Sequence, residues 1–421
     1  MDTRDRALLD LQGVVKTPKI STQPRYAPLE SRYLKFKQRV NGLMQKALGA
    51  DGCQQFLERY FVEFLPALLQ AAAEHEQLDQ IACAEERSLL EQFPIAQSGL
   101  LSHSPMLFSL NRKAFQQVPP GSPSLDLGIG TGQNSRFSLG DRSLSFGADI
   151  MVSNLLRARS LGRHEKYAAL DMAALPFLGG SFERVYALNC IYHAQAGRLQ
   201  TLEEISRVLA PGGILALTDT SEYLNSMKPL TTFFRALGFD ELASEFDGYF
   251  LSGYGADGSH GVESWYREHL PGLGFEGIHL EFLLSPRLSN LAYLFYDWQA
   301  LFNLNAQACF ASPAGNTRFL ATYRPMLISV VAPLLKMDRE LCRQANRGGS
   351  IFVTARKRTT AAANTERDVR WACPACRVLL TPQLKCTGCG RTYPEVEGIP
   401  LLTSFYADGT EGAHGGYAKA S

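Results

Sequence analysis

The spacing of apolar residues changes along the chain, and this change predicts where helices give way to strands. From about Pro28 to Pro94 apolar side chains recur every three or four positions, which predicts helices, one of them over 53–76. After Pro119 and Pro123, four short apolar runs alternate with helical stretches: SLDLG, SFGADI, RVYALNC and GILALTD. Such alternation is typical of βαβ units around a mostly parallel sheet. FEGIHLEFLL and SIFVTARKR are the predicted closing strands of that sheet.

Composition narrows the class of protein without indicating a function. The 421 residues exceed one ordinary domain, so two or three units are expected. A hydrophobic content of 45% predicts a buried core, and a net charge of +1 gives no general attraction to nucleic acid or membranes. The start, MDTRDRALLDLQ, lacks the apolar core of a signal peptide, and no apolar run reaches the ~18 to 20 residues of a membrane span. With nine cysteines, which suit a reducing compartment, these features predict a cytoplasmic protein.

The stretch LDLGIGTG contains glycines at alternate positions, Gly128, Gly130 and Gly132, preceded by Asp126. Glycines let a backbone turn tightly and approach a ligand closely. A P-loop is excluded because no Lys followed by Ser or Thr comes after the last glycine, and the spacing does not fit a dinucleotide fingerprint. A carboxylate at a strand end suits a cationic, amino-acid-like ligand. A generic strand-to-helix turn remains the alternative.

Three further segments follow the loop in a recognisable order. Asp149 ends the next apolar run, Asp171 ends a third, and LEEISRVL is predicted to be a helix stopped by Pro211-Gly212-Gly213 before a fifth strand. With the glycine loop, these segments resemble the class I S-adenosylmethionine-dependent methyltransferases, in their ubiquinone/menaquinone-biosynthesis-like branch. The resemblance covers about 122–284 and resumes at 351–357. It implies a Rossmann-like sheet and S-adenosylmethionine as cofactor.

The resemblance also implies roles for the loop. Gly128, Gly130 and Gly132 would let the backbone pass under the methionine part of the cofactor. Asp126 would lie near the cofactor's amino group, in direct contact or through water.

Further roles implied by the resemblance fall at the ends of the next three strands. Asp149 would accept hydrogen bonds from both ribose hydroxyls, and Ile150 would lie against the adenine. Asp171 would receive the adenine amino group, with Met172 beside the ring, and Asn189 would line the methyl-transfer site. Helix caps or turn acids are the alternative for both aspartates.

Methyl transfer needs a general base only when the acceptor carries a proton of high pKa. The candidates are His193 with Tyr192 beside it, Asp219 after the fifth strand, and His260 in a glycine-rich loop. Each also has a structural interpretation, because a backbone hydrogen bond, a turn or simple solvent exposure would explain it. The base therefore stays open at this point.

Two Cys-x-x-Cys pairs near the C-terminus, in CPACRVLLTPQLKCTGCGRTYP, predict a metal site. Paired knuckles of this kind close a tetrahedral thiolate site, so Cys373, Cys376, Cys386 and Cys389 are the expected ligands of a structural zinc ion. A redox dithiol is the alternative. The segment is similar to the small zinc-ribbon family that activates tRNA, ribosomal RNA and release-factor methyltransferases, which implies that this ribbon docks on the methyltransferase domain in cis.

The chain is thus predicted to be an α/β protein in several parts. The expected boundaries are an N-terminal helical region at 1–115, a class I methyltransferase domain at 116–358 with a helical lid insertion at 286–348, a linker at 359–370, a zinc ribbon at 371–405 and a flexible tail at 406–421.

The acceptor of the methyl group is open between two classes. The aromatic-rich insertion favours a small molecule enclosed in a pocket, and this is the preferred prediction. The ribbon and a basic N-terminus favour RNA or protein, although Asn189-Cys190-Ile191-Tyr192 stands where amino-group methyltransferases often carry Asn-Pro-Pro-aromatic. A catalytically silent scaffold is a third possibility.

Overall fold

The computed structural model describes residues 65–92, 104–221, 262–291, 327–359 and 369–403, together with single positions at 223, 235, 238, 240, 241, 243, 244 and 325. The predicted N-terminal helix near 29–43, most of the aromatic insertion, His260 and the tail lie outside these residues. Within the described part, no helix is long and apolar enough to cross a membrane.

Helices come first in the described chain, as the apolar spacing predicts. They are α1 Leu65–His75, α2 Ala84–Glu91 and α3 Ser104–Phe115, with a short 3-10 turn at Leu78–Gln80. The described part of the predicted helix over 53–76 is thus helical. Leu90 and Phe115 are fully buried, and Phe115 packs edge-on against Tyr186 and Phe352 of the sheet. This contact seats α3 on one face of the sheet.

The centre of the molecule is a nine-stranded sheet with the order β6-β7-β5-β4-β1-β2-β3-β9-β8. Its strands are β1 Ser124–Leu127, β2 Leu144–Asp149, β3 His164–Leu170, β4 Phe182–Leu188, β5 Leu209–Thr220, β6 Phe275–Leu283, β7 Ser350–Lys357, β8 Glu395–Val396 and β9 Ile399–Leu402. β1 to β5 are mutually parallel, whereas β7 runs antiparallel between β5 and β6. The fold is therefore a Rossmann-like α/β sheet, and the two predicted closing strands are confirmed.

Five further helices alternate with the strands or flank them. They are α4 Gln133–Ser138, α5 Val152–Ser160, α6 Arg198–Val208, α7 Val262–Gly272 and α8 Ala332–Ala345. Leu125, Val185 and Leu215 on three neighbouring strands have no exposed surface. Burial on both faces is the reason why these strands are continuous apolar runs.

One predicted boundary is wrong. The sequence predicts a helix stopped by Pro211-Gly212-Gly213, but α6 ends at Val208 and the three residues lie inside β5. Leu209 is already extended, with φ −70° and ψ 134°, and pairs with Phe182 at the start of β4. The Pro-Gly-Gly segment therefore forms an irregularity at the start of the strand, where the β4–β5 register shifts.

The insertion between β6 and β7 begins and ends at one place. The carboxylate of Asp338 on α8 accepts hydrogen bonds from the backbone of Leu284 at 3.0 Å and Ser285 at 2.6 Å. The two ends of the insertion, which we call its stem (284–285 and 338–348), also meet at Gly348, where a Cβ would lie 2.3 Å from the carbonyl oxygen of Leu283. The described ends of the insertion are thus held together beside the sheet by hydrogen bonds and close backbone packing.

Candidate functional site

The three glycines of the loop have different surroundings although all adopt positive φ. A Cβ on Gly128 would lie 2.4 Å from the Cβ of Cys190, and one on Gly132 would lie 3.0 Å from the Cβ of Ala158. Among the described residues, no atom lies within 4 Å of the position of a Cβ on Gly130. Gly128 and Gly132 therefore let the loop pack on the protein, whereas Gly130 faces a space that no described residue fills, in which a ligand could lie against the backbone.

This contrast gives a paired prediction. Alanine at Gly128 combines left-handed strain of roughly 1–2 kcal/mol with the clash against Cys190, so the melting temperature should fall sharply. Alanine at Gly130 has only the strain, and its methyl group projects into the open space. We expect Gly130→Ala to fold, with a smaller loss of melting temperature, but to bind cofactor more weakly in calorimetry. Wild-type affinity in Gly130→Ala would show that this face of the loop holds no ligand.

Asp149 ends β2 beside this open side of the loop. Its Oδ2 accepts the Gly130 N–H at 2.8 Å, and its Oδ1 accepts the Met151 N–H at 2.8 Å and the Asn154 amide at 3.3 Å. Burial raises the pKa of Asp149 above its usual 3.8, and these hydrogen bonds oppose the rise. Each carboxylate oxygen has two lone pairs, so Oδ2 keeps acceptor capacity for a ligand hydroxyl.

The residues assigned to the adenine lie along the same sheet edge. Asp171 follows the last residue of β3 and its Oδ1 accepts the Ala173 N–H at 3.0 Å, which makes a turn. The Cε of Met172 lies 3.8 Å from the position of a Cβ on Gly128. Ile150 follows Asp149 and is half-buried. The fold therefore brings the loop, Asp149, Ile150, Asp171 and Met172 together at the carboxyl ends of β1, β2 and β3.

Asn189 follows β4 in a left-handed conformation, with φ 53°. Its backbone N–H donates to the carbonyl of Thr218 on β5 at 2.9 Å, and its side-chain Oδ1 is buried without a partner in the described part of the chain. Asparagine tolerates positive φ better than most residues, so the unpaired amide oxygen is the feature that makes Asn189 a candidate ligand contact.

Asp219, a candidate base, lies in a buried charge network that the sequence did not predict. Its Oδ2 accepts hydrogen bonds from the Arg198 guanidinium at 2.7 Å and the Tyr266 hydroxyl at 2.9 Å, and its Oδ1 accepts the Thr220 N–H at 2.8 Å. The Arg198 guanidinium also lies 4.5 Å from the ring centre of Trp265. Burial raises the pKa of Asp219, and the Arg198 charge opposes the rise. Donors therefore occupy both oxygens of this carboxylate.

We expect Asp219→Ala to cost about 3–5 kcal/mol of unfolding free energy, because it leaves the Arg198 charge buried without its carboxylate. The matched double variant Arg198→Met, Asp219→Leu removes both charges and should recover most of that loss. Urea unfolding of the single and double variants measures the difference. A stable Asp219→Ala variant that had lost only turnover would instead support a catalytic base.

His193 lies in the 3-10 turn Ile191–Gly197, directly after the end of β4. Its ring centre is 4.1 Å from that of Tyr192, and desolvation by neighbouring atoms lowers the pKa of His193 to about 4. The residue nevertheless keeps an exposed surface, so a proton donor can reach it. With a pKa below 7, the imidazole is largely neutral at pH 7 and can accept a proton.

Asp126 lies below the loop and is almost fully buried. Its Oδ2 is 2.9 Å from Nε2 of His164, the first residue of β3, and its Oδ1 has no partner in the described residues. His164 was not predicted as a site residue. A glycine inside β2, Gly147, was the available signal, because glycine within a strand often marks the close approach of another group. In the structure that group is the imidazole of His164.

The four C-terminal cysteines converge as predicted. The sulfur atoms of Cys373, Cys376, Cys386 and Cys389 all lie within 4.8 Å of one another. Four sulfurs about 2.3 Å from a tetrahedral zinc ion are about 3.8 Å apart, so this arrangement fits zinc. Cys373 and Cys386 are buried while Cys376 and Cys389 are exposed. All four positions of a tetrahedral ion would be filled by protein.

The cysteine segment contacts the edge of the sheet and the segments beside it. β9 pairs in parallel with β3, with Leu401 opposite Ala169. Trp371 lies 5.1 Å from the ring centre of Phe177. Arg377 binds the carbonyl of Leu175 at 2.7 Å. A salt bridge of 2.8 Å also joins the Arg377 guanidinium to the carboxylate of Glu204 on α6.

The protein has a Rossmann-like α/β fold, and its glycine loop lies at the carboxyl ends of the strands, the edge at which open α/β sheets bind their ligands. Residues 125–217 match a family model described as a methyltransferase domain. The matched range includes the loop, Asp149, Asp171 and Asn189. No zinc-ribbon family model matches the cysteine segment.

Several known proteins resemble parts of this chain. A 2-methyl-6-phytyl-1,4-hydroquinone methyltransferase of Synechocystis is 32% identical over 117 residues, which cover 27% of this chain and 36% of that protein. A Bos taurus protein named "Probable tRNA methyltransferase 9B" is 31% identical over 25% of this chain and 23% of its own length. The structure of Haemonchus contortus phosphoethanolamine N-methyltransferase 2 with S-adenosyl-L-methionine aligns with a TM-score of 0.36 at 20% identity, covering 59% of this chain and 51% of that one. The chain thus spans little more than a third of the first of these relatives.

Proposed function

We propose that this chain is a methyltransferase that transfers a methyl group from S-adenosylmethionine to a small-molecule acceptor. The observation that carries the proposal is the open, positive-φ backbone at Gly130, bonded to the Asp149 carboxylate within a segment that matches the methyltransferase-domain model. A stretch of backbone that no described residue covers, with an acid at its edge, provides a cradle for a ligand that carries hydroxyl groups. We place the start of this domain at 116 and its end at 358.

In this proposal, different residues bind the different parts of the cofactor. Asp149 accepts the ribose hydroxyls, while Ile150 and Met172 enclose the adenine and Asp171 receives its amino group. We assign Asn189 to the methyl-transfer position, and its buried Oδ1, which has no partner among the described residues, supports this assignment. When bound, the cofactor supplies a methyl group on a positively charged sulfur, and the protein's task is to align the acceptor and exclude water.

The proposal assigns Asp219 and His193 different parts. With three donors on its carboxylate, Asp219 is a poor base and holds Arg198 and Tyr266 at the sheet edge beside the acceptor. His193 is neutral at pH 7 and is the better candidate to take a proton. An acceptor that ionises readily in water would need neither residue.

We further propose that the ribbon, 371–405, binds one structural zinc ion through its four cysteines and docks on the methyltransferase domain in cis. The sulfur positions and the β3–β9 pairing support this. A covalent linker at 359–370 raises the local concentration of the ribbon to about millimolar, which stabilises even a modest interface.

The acceptor is the least constrained part of the proposal. Partial relatives include proteins named for a hydroquinone and for tRNA, so both classes stay represented. The large insertion, whose stem is fastened by Asp338, suits a cover over a small molecule. RNA or protein is the second candidate, and the fused ribbon is the observation that favours it.

One experiment chooses between these acceptors. The purified protein is incubated with methyl-labelled S-adenosylmethionine and cell extract, and the label is followed into small-molecule, RNA and protein fractions. Label in a small-molecule fraction supports the proposal, and label in RNA or protein supports the second candidate. Cofactor binding without transfer into any fraction, across extracts of several sources, would indicate a scaffold and overturn the enzymatic proposal.

A further inference from the structure

His164 has no part in the proposed function, yet its imidazole is bound to the acid of the glycine-loop motif. We propose that His164 is a positioning residue, which fixes the Asp126 carboxylate so that its second oxygen receives the cationic amino group of the cofactor's methionine part. The inference rests on the proposed function and deepens it.

Asp126 and His164 form a hydrogen-bonded pair that spans three neighbouring strands. Asp126 lies on β1 and His164 on β3, while β2 runs between them. The Nε2 and Oδ2 atoms are 2.9 Å apart, with side chains 0% exposed for His164 and 1% for Asp126. Because an ionised carboxylate only accepts hydrogen bonds, Nε2 carries the hydrogen and donates it.

The strand between the two residues is adapted to the imidazole. Gly147 stands opposite Asp126 in the β1–β2 register, and a Cβ on Gly147 would lie only 2.8 Å from the His164 ring. Tyr167 packs edge-on against the same ring at 5.4 Å between centres. Its hydroxyl in turn accepts the backbone N–H of His164 at 3.3 Å. The ring is therefore held in one place from two sides, and it holds one oxygen of Asp126.

The Asp126–His164 pair leaves one oxygen of the carboxylate available. In the described residues, neither Oδ1 of Asp126 nor Nδ1 of His164 has a hydrogen-bond partner. A buried acceptor of this kind calls for a donor from a ligand. In the described part of the chain, no lysine or arginine forms an ion pair with Asp126.

A cationic ligand group at the loop would complete this arrangement. Asp126 precedes Gly128 by two residues, so the carboxylate belongs to the strand end from which the loop departs. An ammonium group at the loop would offer both a donor to Oδ1, in direct contact or through one water, and a compensating charge. His164 contributes by preventing the carboxylate from turning away.

The test compares two ligands that differ in the amino-acid group. S-adenosylhomocysteine carries that group, whereas 5′-methylthioadenosine shares the adenosine and the thioether but lacks it. Binding of both to the full-length protein is measured by calorimetry for wild type, Asp126→Asn, His164→Leu and His164→Gln. Glutamine is the matched control, since its amide nitrogen can replace Nε2 as donor.

We expect Asp126→Asn and His164→Leu each to weaken S-adenosylhomocysteine about tenfold to 100-fold, as for loss of a charged hydrogen bond. 5′-Methylthioadenosine should change less than about threefold in both, and His164→Gln should resemble wild type for both ligands. The double variant Asp126→Asn, His164→Leu should be no weaker than either single variant, because both act through one contact.

Equal weakening of both ligands in His164→Leu would overturn the inference, since a purely structural role lowers all binding alike. Unchanged binding of S-adenosylhomocysteine in that variant would overturn it too. If His164→Leu does not fold, His164→Asn, whose amide is too short to reach Asp126, takes its place with the same expected result. Failure of the wild-type protein to bind either ligand would contradict the proposed function instead.

Discussion

Asp149→Ala is expected to weaken S-adenosylmethionine binding by about 100-fold or more, the largest single effect in the cofactor site. Two ribose hydroxyls would lose a shared charged acceptor, and hydrogen bonds to charged groups contribute about 1.5–3 kcal/mol each. The same carboxylate also accepts the N–H groups of Gly130 and Met151, so the loop would lose its anchor as well. Calorimetric titration with S-adenosylmethionine and S-adenosylhomocysteine measures the change.

Asp149→Asn separates these two contributions. The amide keeps one carbonyl oxygen for the Gly130 N–H but lacks the charge and the second acceptor, so it should retain more of the loop and still bind cofactor poorly. Circular dichroism and the melting temperature check that each variant is folded. Wild-type affinity in a folded Asp149→Ala protein would remove this residue from the ribose-binding role.

Cys386→Ser is expected to abolish zinc binding and unfold the ribbon. A segment of this size is too small to bury a sufficient core unaided, so the free energy of metal binding must support its fold. Metal analysis of protein purified without chelator should give about one zinc per chain for wild type and almost none for the variant. Because β9 pairs with β3 and Arg377 binds Glu204, the melting temperature or solubility should fall as well.

Cys83→Ser is the matched control, since Cys83 is equally buried but lies just before α2, far from the cysteine cluster in the chain. It should keep its zinc. Cofactor affinity in Cys386→Ser should fall only modestly, because the loop and its acids belong to the central strands. Wild-type protein without zinc would disprove the metal site, and a Cys386→Ser variant with full stability and turnover would make the ribbon a module for another partner.

The sequence predicted those features that are formed by residues close together in the chain. These features are the glycine loop, the acids at the ends of β2 and β3, and the paired cysteines. In each of them the spacing of the residues has a physical reason. Gly130 and Asp149 meet in the structure because parallel strands end at the same sheet edge, which the βαβ alternation already predicts.

The features that sequence reasoning missed depend on tertiary contacts. Nothing in the neighbourhood of Asp219 predicts Arg198 or Tyr266 as its partners, since one belongs to the helix after β4 and the other to α7. His164 is likewise separated from Asp126 by α4, β2 and α5, and only Gly147 indicated a bulky neighbour. The Pro-Gly-Gly segment was assigned to a helix end, where such residues are common, but pairing between Leu209 and Phe182 extended the strand through it.

The pairing of β9 with β3 also changes what the molecule shows to its neighbours in solution. Without β9, this side of the described sheet would end on β3, a strand of seven residues with a row of unpaired backbone groups. Such a strand is a template on which other chains aggregate. With the ribbon in place, the outermost strand is β8, which is only two residues long and includes Glu395. The ribbon therefore replaces a long, aggregation-prone edge strand with a short edge strand that carries a charge.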